Sequence, residues 1–285
     1  MEAGTVATLR VVREAPFGFF LTDEYEDVLL HHTEIADDMD IELDQDVEVF
    51  LYQDHEGRLS ATFTIPTVQI GKYDWVEVVE IKKGLGVFVN IGLRKDILVS
   101  MDDLPELFHL WPNVGDRLYC SLKTDSKNRL FGKLGTEEVM RELAVPADRS
   151  KFNKNVSGHV YRLLLAGSFI ITDEGFMGFI HESQRGEEPR LGQKVEGRII
   201  DIKEDGTVNV SLLPRSYEQI DTDADKIYEY ILGRGGSMPY GDKSLPDEIK
   251  KRFNLSKGAF KRAIGKLMKE EKVTQKDGWT HIKEK

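Results

Sequence analysis

Gly158-His-Val160, Ala166-Gly-Ser-Phe-Ile170, Gly178-Phe-Ile-His-Glu-Ser183, Leu191-Gly-Gln-Lys-Val-Glu-Gly-Arg-Ile199 and Asp205-Gly-Thr207 follow one another within residues 151–215. Short runs of β-branched and aromatic residues alternate there with Gly and Asp turn residues, the pattern of a small all-β unit. The same order occurs twice upstream. Residues 67–136 carry Trp75-Val-Glu-Val-Val-Glu-Ile81, Leu85-Gly-Val-Phe-Val89, Ile97-Leu-Val99, Val114-Gly-Asp-Arg-Leu-Tyr-Cys-Ser-Leu122 and Asp125-Ser-Lys-Asn-Arg129. Residues 1–66 carry Thr5-Val-Ala-Thr-Leu-Arg-Val-Val12, Phe17-Gly-Phe-Phe-Leu21, Val28-Leu-Leu-His31, Leu43-Asp-Gln-Asp-Val-Glu-Val-Phe-Leu51 and Asp54-His-Glu-Gly-Arg58. An internal repeat therefore organises the first three quarters of the chain.

Each unit offers five short strands, and period-two alternation in Val47-Glu-Val-Phe-Leu51 and Val195-Glu-Gly-Arg-Ile199 marks them as half buried. Five strands of this length suit a small closed barrel, which leaves no sheet edge exposed. Gly18, Gly86 and Gly167 read as mid-strand glycines, hence as bulges or barrel bends. Units this small bury only about 60% of their unfolded surface and are marginal alone. They are expected to pack on each other or on the helical stretch Glu137-Glu-Val-Met-Arg-Glu-Leu143, which reads as a linker over 137–150.

After Pro214 the period becomes helical. Ile220, Ala224, Ile227, Tyr228, Ile231 and Leu232 share one face of a helix that Gly233 ends. Ser244 is placed to cap a second helix with Pro246 in its first turn, and Ser256 to cap a third from Lys257 to about Glu271. Phe260, Ile264, Leu267 and Met268 form the apolar face of the third. Val273-Thr274 and Trp279-Thr-His-Ile282 form a hairpin across Lys276-Asp-Gly278. Three helices and a hairpin make a winged helix-turn-helix over 216–285. The fold class is thus mainly β, three small five-stranded barrels followed by an α+β domain.

The repeat resembles tandem S1 domains, the OB-fold RNA-binding module. Its corner motif is matched at Gly178-Phe-Ile-His-Glu-Ser183, while the second unit has Val99 where that family often has histidine. Gly241-Asp-Lys-Ser-Leu-Pro-Asp-Glu-Ile-Lys250 with Leu255-Ser-Lys-Gly-Ala-Phe-Lys-Arg-Ala-Ile-Gly265 is more specific, and resembles the tail of the bacterial conserved virulence factor B family. The resemblance implies a cytoplasmic RNA-binding regulator, with S1-type barrels and a C-terminal winged helix.

Single-stranded nucleic acid is held by basic grooves and by rings on which bases stack. By the resemblance, the stacking candidates are Phe17, Phe20 and His31, then Phe88, then Phe169 and His181, with Arg58 and Arg129 facing phosphate or a base. Residues three apart on a strict strand point to opposite faces. One of Phe17 and Phe20 is therefore barrel core unless Gly18 makes a bulge, and His31 and His181 read equally well as satisfied turn histidines. In the winged helix the candidates are Lys257, Lys261, Arg262, Lys266 and Lys269 on the third helix, joined by Lys250, Lys251 and Arg252. The alternative for that patch is a solvated face or a protein contact.

Charge is unevenly spread. The whole chain is −11, yet residues 1–66 hold 16 acidic and 3 basic side chains (−13), residues 151–215 hold 9 of each, and residues 243–285 hold 13 basic and 6 acidic (+7). Asp37-Asp-Met-Asp40 with Glu42, Asp44 and Asp46 reads as a solvated face, as a contact for a basic protein partner, or as a mimic of nucleic acid. The expected partner is RNA, single-stranded and read with low specificity, with DNA or a basic protein as alternatives and an interaction adaptor as the rival function. No Walker loop, HExxH or nucleophile elbow is present, and the lone Cys120, in an apparent strand, excludes a cysteine zinc site and an internal disulfide. No enzyme, cofactor, metal or small-molecule substrate is therefore expected. No run approaches the roughly 18 apolar residues of a membrane helix, and Met1 to Arg10 has no signal-peptide pattern, so no membrane and a cytoplasmic location are expected.

Overall fold

The computed structural model describes residues 1–36 and 39–283. Asp37 and Asp38 of the acidic stretch, and Glu284 and Lys285, lie outside the described residues. The chain divides into two units, 1–212 and 213–285.

Unit one holds three barrels of identical topology. The first is built from β1 (Val6–Ala15), β2 (Gly18–Thr22), β3 (Asp27–His31), β4 (Asp46–Gln53) and β5 (Leu59–Thr62). They close in the order β1-β2-β3-β5-β4, with β3 and β5 parallel and every other pair antiparallel. The second barrel repeats this with β6 (Asp74–Lys82), β7 (Gly86–Asn90), β8 (Ile97–Ser100), β9 (Arg117–Thr124) and β10 (Leu130–Leu134). After α1 (Glu137–Leu143) comes the third: β11 (Asn155–Leu164), β12 (Gly167–Thr172), β13 (Met177–His181), β14 (Lys194–Ile202) and β15 (Val208–Ser211).

The glycine expectation needs correction. Gly18, Gly86 and Gly167 open β2, β7 and β12 rather than lying mid-strand. Each lies against the next strand so closely that a Cβ would stand 2.2, 2.0 and 2.2 Å from the carbonyl oxygens of Leu30, Val99 and Ile180. The bulges lie on the preceding strand, where register shifts between Val11 and Arg13, Val78 and Glu80, and Val160 and Arg162.

Strand alternation has one informative exception. In β4, Val47, Val49 and Leu51 fill the first barrel, but Phe50 between them is fully buried as well. It sits in the core of the second barrel with Val76, Val89 and Leu122. Leu191, from the third barrel, enters the same core. Polar ties follow the same joints. Arg94 pairs with Glu34 at 3.2 Å, Lys95 Nζ donates to the Asp54 carbonyl at 3.1 Å, and Arg190 pairs with Asp116 at 3.2 Å. The barrels pack on one another, as their size requires. α1 packs too: Thr136 accepts from the Val139 N–H at its start, and Met140 is buried against Tyr161 and Ile171 of the third barrel.

Unit two comprises α2 (Ser216–Gly233), β16 (Ser237–Met238), α3 (Pro246–Phe253), α4 (Lys257–Lys269), β17 (Val273–Lys276) and β18 (Trp279–Ile282). Its core joins Ala224, Ile227 and Ile231 of α2 to Ile249, Phe260, Ile264 and Leu267. Leu232 and Met268, expected inside, are exposed at 52% and 45%. Ser256 caps α4 by accepting from the Ala259 N–H. Ser244 does not cap α3. Its hydroxyl accepts from the Gly241 N–H, and Leu245 is the N-cap, its N–H bonded to the Glu248 carboxylate. The turn at Asp277 and Gly278 takes positive φ at both residues, as a tight hairpin demands. β16 pairs with β18 and makes the wing three-stranded. Among the described residues no helix is long and apolar enough to cross a membrane.

Cys120 is fully buried in the second barrel, and burial pushes its thiol up to about 12. Native protein at pH 8 is therefore expected to resist iodoacetamide, with one equivalent incorporated on unfolding. Mass spectrometry reads both, and rapid native labelling would show that the second barrel opens.

Candidate nucleic-acid interface

In each barrel the strand after the bulge places one ring at the same position, two residues beyond the close-packed glycine: Phe20, Phe88 and Phe169. Cross-strand register extends each ring into a row. The first barrel presents Arg13–Phe20–Leu29–Ser60. The second presents Glu80–Phe88–Leu98–Phe131, and the third Arg162–Phe169–Phe179–Asn209. The three phenylalanines are half-buried, neither core nor free. Arg13 lies over Phe20 at 4.0 Å and Arg162 over Phe169 at 5.7 Å. At the matching place the second barrel has the carboxylate of Glu80.

Phe17 resolves the alternation problem in an unforeseen way. It lies in the turn before β2, so strand alternation does not govern it. It is 48% exposed and meets Phe20 edge-on at 6.2 Å.

The third barrel has the best-formed site. Phe169 and Phe179 stand 4.9 Å apart and line a groove of about 500 Å³ with Met177, Lys203 and Thr207, walled by Glu137 and Arg141 of α1. Glu137 holds both neighbouring guanidiniums, Arg141 at 2.7 Å and Arg162 in a short ion pair. α1 is thus a wall of the site as well as a linker.

His31 and His181 do the work of caps. Their Nδ1 atoms accept from the Thr33 and Ser183 N–H groups, which leaves the Nε2 edge facing outward. They pair across the sheet with Gly18 and Gly167. The residue paired with Gly86 is Ser100, not Val99, and its hydroxyl accepts from the Asp102 N–H in the same way. Val99 is buried core. Motif spacing in the second unit is therefore one residue out of step with the structural register.

Arg58 and Arg129 are exposed, but each is neutralised by its own turn. Arg58 binds Asp54 at 2.8 Å and Glu56 at 2.8 Å, and Arg129 binds Asp125 at 2.7 Å. The bond from Arg129 holds the Asp125 carboxyl below the usual aspartate range. Both arginines are thus committed to their own turns, while Lys127 in the second turn is exposed and forms no ion pair with a described residue. Arg129 also lies over Phe131, at 5.6 Å, and so flanks a ring.

In the winged helix, α4 turns Arg262 and Lys269 outward, with Lys261 beside them; all three are exposed and form no ion pair with a described residue. Lys257 is half-buried, while Lys250 and Lys251 are exposed on α3. Lys266 is not presented. It is drawn to Asp221 of α2 and to Glu270. Arg252 lies over Tyr230 at 4.5 Å. Trp279 in the wing, 43% exposed and stacked on His281, was not singled out from sequence. Gly258 and Gly265 fall on the same outer face of α4 as Arg262 and Lys269, by their spacing. Among the described residues no group of three His, Cys, Asp or Glu side chains is placed to hold a metal.

Family models cover this architecture in order: an S1 domain at 3–64, the CvfB first S1-like domain at 73–133, the second domain of virulence regulatory factor CvfB at 140–214, and a CvfB-like winged helix domain at 225–282. Conserved virulence factor B of Staphylococcus epidermidis is 41% identical over 266 residues, 90% of this chain and 89% of that protein. The chain belongs to the conserved virulence factor B family. The protein YitL of Bacillus subtilis is 49% identical over 283 residues, 99% of this chain and 94% of its own length. A crystal structure of a multidomain protein with nucleic acid binding domains, from Streptococcus pneumoniae, is 39% identical, covers 98% of both chains and superposes with a TM-score of 0.68. The S1 and winged-helix domains of this family member are binding-type folds, consistent with a role in nucleic-acid binding or regulation.

Sequence reasoning missed Phe179, Phe131, Arg13 and Arg162. A register alignment anchored on the three close-packed glycines would have found them, because each is a cross-strand neighbour of the common ring or of its row.

Gly265→Ala removes a flexible residue from an exposed helix position where a Cβ meets nothing within 4 Å. It should stabilise unit two by about 0.5–1 kcal/mol in thermal unfolding, and a loss of stability would show that this face is already packed. Arg129→Ala should move the Asp125 carboxyl back up toward the ordinary aspartate range, read by carboxyl-carbon NMR titration.

Proposed function

We propose that this protein is a non-enzymatic RNA-binding regulator that holds single-stranded RNA with low sequence specificity. The third-barrel groove supplies stacking and the winged helix supplies electrostatic attraction. The observation that carries this reading is the paired ring face of Phe169 and Phe179 beside Lys203, in a barrel of balanced charge. Stacking is worth about 1–3 kcal/mol per base and tolerates any base, so two rings support binding without base reading. Arg262, Lys261 and Lys269 add long-range attraction to phosphate. Kinship with the pneumococcal multidomain protein, whose domains are described as nucleic acid binding, points the same way.

The first barrel fits a different role. It bears most of the negative charge, its row ends in buried Ser60 rather than a ring, and its turn arginine is neutralised. A basic protein partner is the reading that suits it, and makes the protein an adaptor between such a partner and RNA. Regulation of gene expression, virulence-related in pathogens of this family, would follow from that bridging.

Removing residues 1–150 is a poor test of this division, because Met140 of α1 would leave the third barrel with it. Point variants of the full chain serve better. Phe169→Ala with Phe179→Ala should weaken binding of a fluorescent uridylate decamer by about 30-fold or more, while Phe20→Ala should change it little. With about five phosphates neutralised, log affinity should fall against log salt with a slope near −3.5. No binding of the decamer, or a duplex DNA preference of similar strength, would sink the single-stranded RNA reading. Cleavage of labelled decamer that a metal chelator abolishes would overturn the non-enzymatic part.

A further inference from the structure

A second cavity, of about 270 Å³, lies at the joint of the second and third barrels, lined by Trp75, Arg117, Leu143, His159, Thr172 and Asp173 among others. Trp75 and Arg117 lie on β6 and β9 of the second barrel, and His159 on β11 of the third. None of them belongs to the ring rows described above. The indole of Trp75 and the imidazole of His159 meet at 5.0 Å. The aromatic surface continues from Trp75 to Tyr119 at 5.2 Å and on to Tyr73 at 5.9 Å, all half-buried.

The polar groups are arranged by sign. Arg117 lies over the Trp75 ring at 5.9 Å. Unlike Arg58, Arg129, Arg141, Arg162 and Arg190, it forms no ion pair with a described residue, and it is exposed. Lys194 stands nearby on Asp173 at 3.0 Å. Asp173 accepts from the Ser157 hydroxyl at 2.6 Å and comes within 3.9 Å of His159 Nδ1. The His159 side chain is only 12% exposed, and burial lowers its pKa, which keeps the ring neutral and its faces suited to stacking. A joint needed only for packing would be filled by apolar side chains. This one keeps a cavity with flat rings on one side, an uncommitted guanidinium at the rim, and a carboxylate able to accept from an amine.

We infer that this inter-barrel cavity is a nucleotide site, in which a base lies on the Trp75 and His159 surface and its phosphate meets Arg117. An indole is the best partner for planar π systems and guanidinium the best for phosphate. The volume sits just below the usual range of ligand pockets, as a single nucleotide requires. The nucleotide is either one unit of a bound strand or a free mononucleotide. The strand form rests on the RNA reading above, and the free form does not.

Tryptophan fluorescence of the full chain tests this. Trp279→Phe removes the exposed wing indole, and Trp111 is buried with its N–H on the Pro105 carbonyl at 2.7 Å, so a ligand-dependent change reports on Trp75. AMP, UMP and an adenylate decamer are titrated separately, and decamer binding is followed in parallel by anisotropy. Saturable quenching is expected, weakened about tenfold by Arg117→Glu. Arg117→Gln, which keeps the side-chain length, serves if the charge reversal impairs folding. Quenching by the decamer alone assigns the site to a strand, and quenching by mononucleotides alone assigns it to a free nucleotide. Decamer binding with no quenching by the decamer, AMP or UMP overturns the site and leaves the RNA reading standing. Mononucleotide quenching without any decamer binding does the reverse. Quenching that Arg117→Glu and Arg117→Gln leave unchanged overturns the site.

Discussion

The burial of Phe50 outside its own barrel is the contact on which unit one depends. β4 alternates inward and outward like any barrel strand, yet its outward ring is fully covered, because it forms part of the second barrel's core. Leu191 does the same from the other side. A barrel of this size cannot bury enough apolar surface to be secure alone. Sharing core residues solves that shortage, and it couples the three barrels mechanically. Domains joined by flexible linkers would bind as separate beads. Barrels that share a core present their faces at set distances.

That coupling also explains α1. Read as a linker, it would be expendable. Met140, however, closes a cluster with Tyr161 and Ile171, and Tyr161 is the bulged residue of β11. The bulge turns one ring inward against the helix and lets Arg162 come beside Phe169 on the outer face. The same helix then brings Glu137 to Arg162 and Arg141. Packing and site chemistry therefore have one origin in the third barrel. The first and second barrels have the bulge but not the helix; the first row has a single ring, and in the second the two rings, Phe88 and Phe131, are separated by Leu98 rather than adjacent across the sheet.

Electrostatics separates the copies further. A basic residue in the sequence is not a free charge in the fold. Arg58, Arg129 and Lys266 are each held by carboxylates, and the cost of pulling them away opposes any gain from phosphate. Cations that form no ion pair with a described residue, Arg117, Lys203, Lys261, Arg262 and Lys269 among them, mark where an anion meets less competition.

Much of this protein was legible in one dimension. Period-two strands broken by Gly and Asp, repeated three times, determined three barrels, and the helical run with its hairpin determined the winged helix, because backbone periodicity is local. The Ser256 cap and the Asp277-Gly278 turn were readable for the same reason. Errors appeared where a side-chain partner, a turn or cross-strand register, rather than backbone period, decides the outcome. Ser244 yielded the N-cap position to Leu245 because Gly241 took its hydroxyl. The histidine place in the second barrel shifted from Val99 to Ser100 because cross-strand register, not motif spacing, sets it. Phe17 escaped the alternation rule by lying in a turn. Sequence alone therefore determined the repeat, the fold of each unit and the ring two residues past each close-packed glycine. Only the tertiary structure decided which rings have a neighbour, which arginines are already paired, and that Phe50 is shared between barrels, since all three depend on side chains that meet across strands or across barrels.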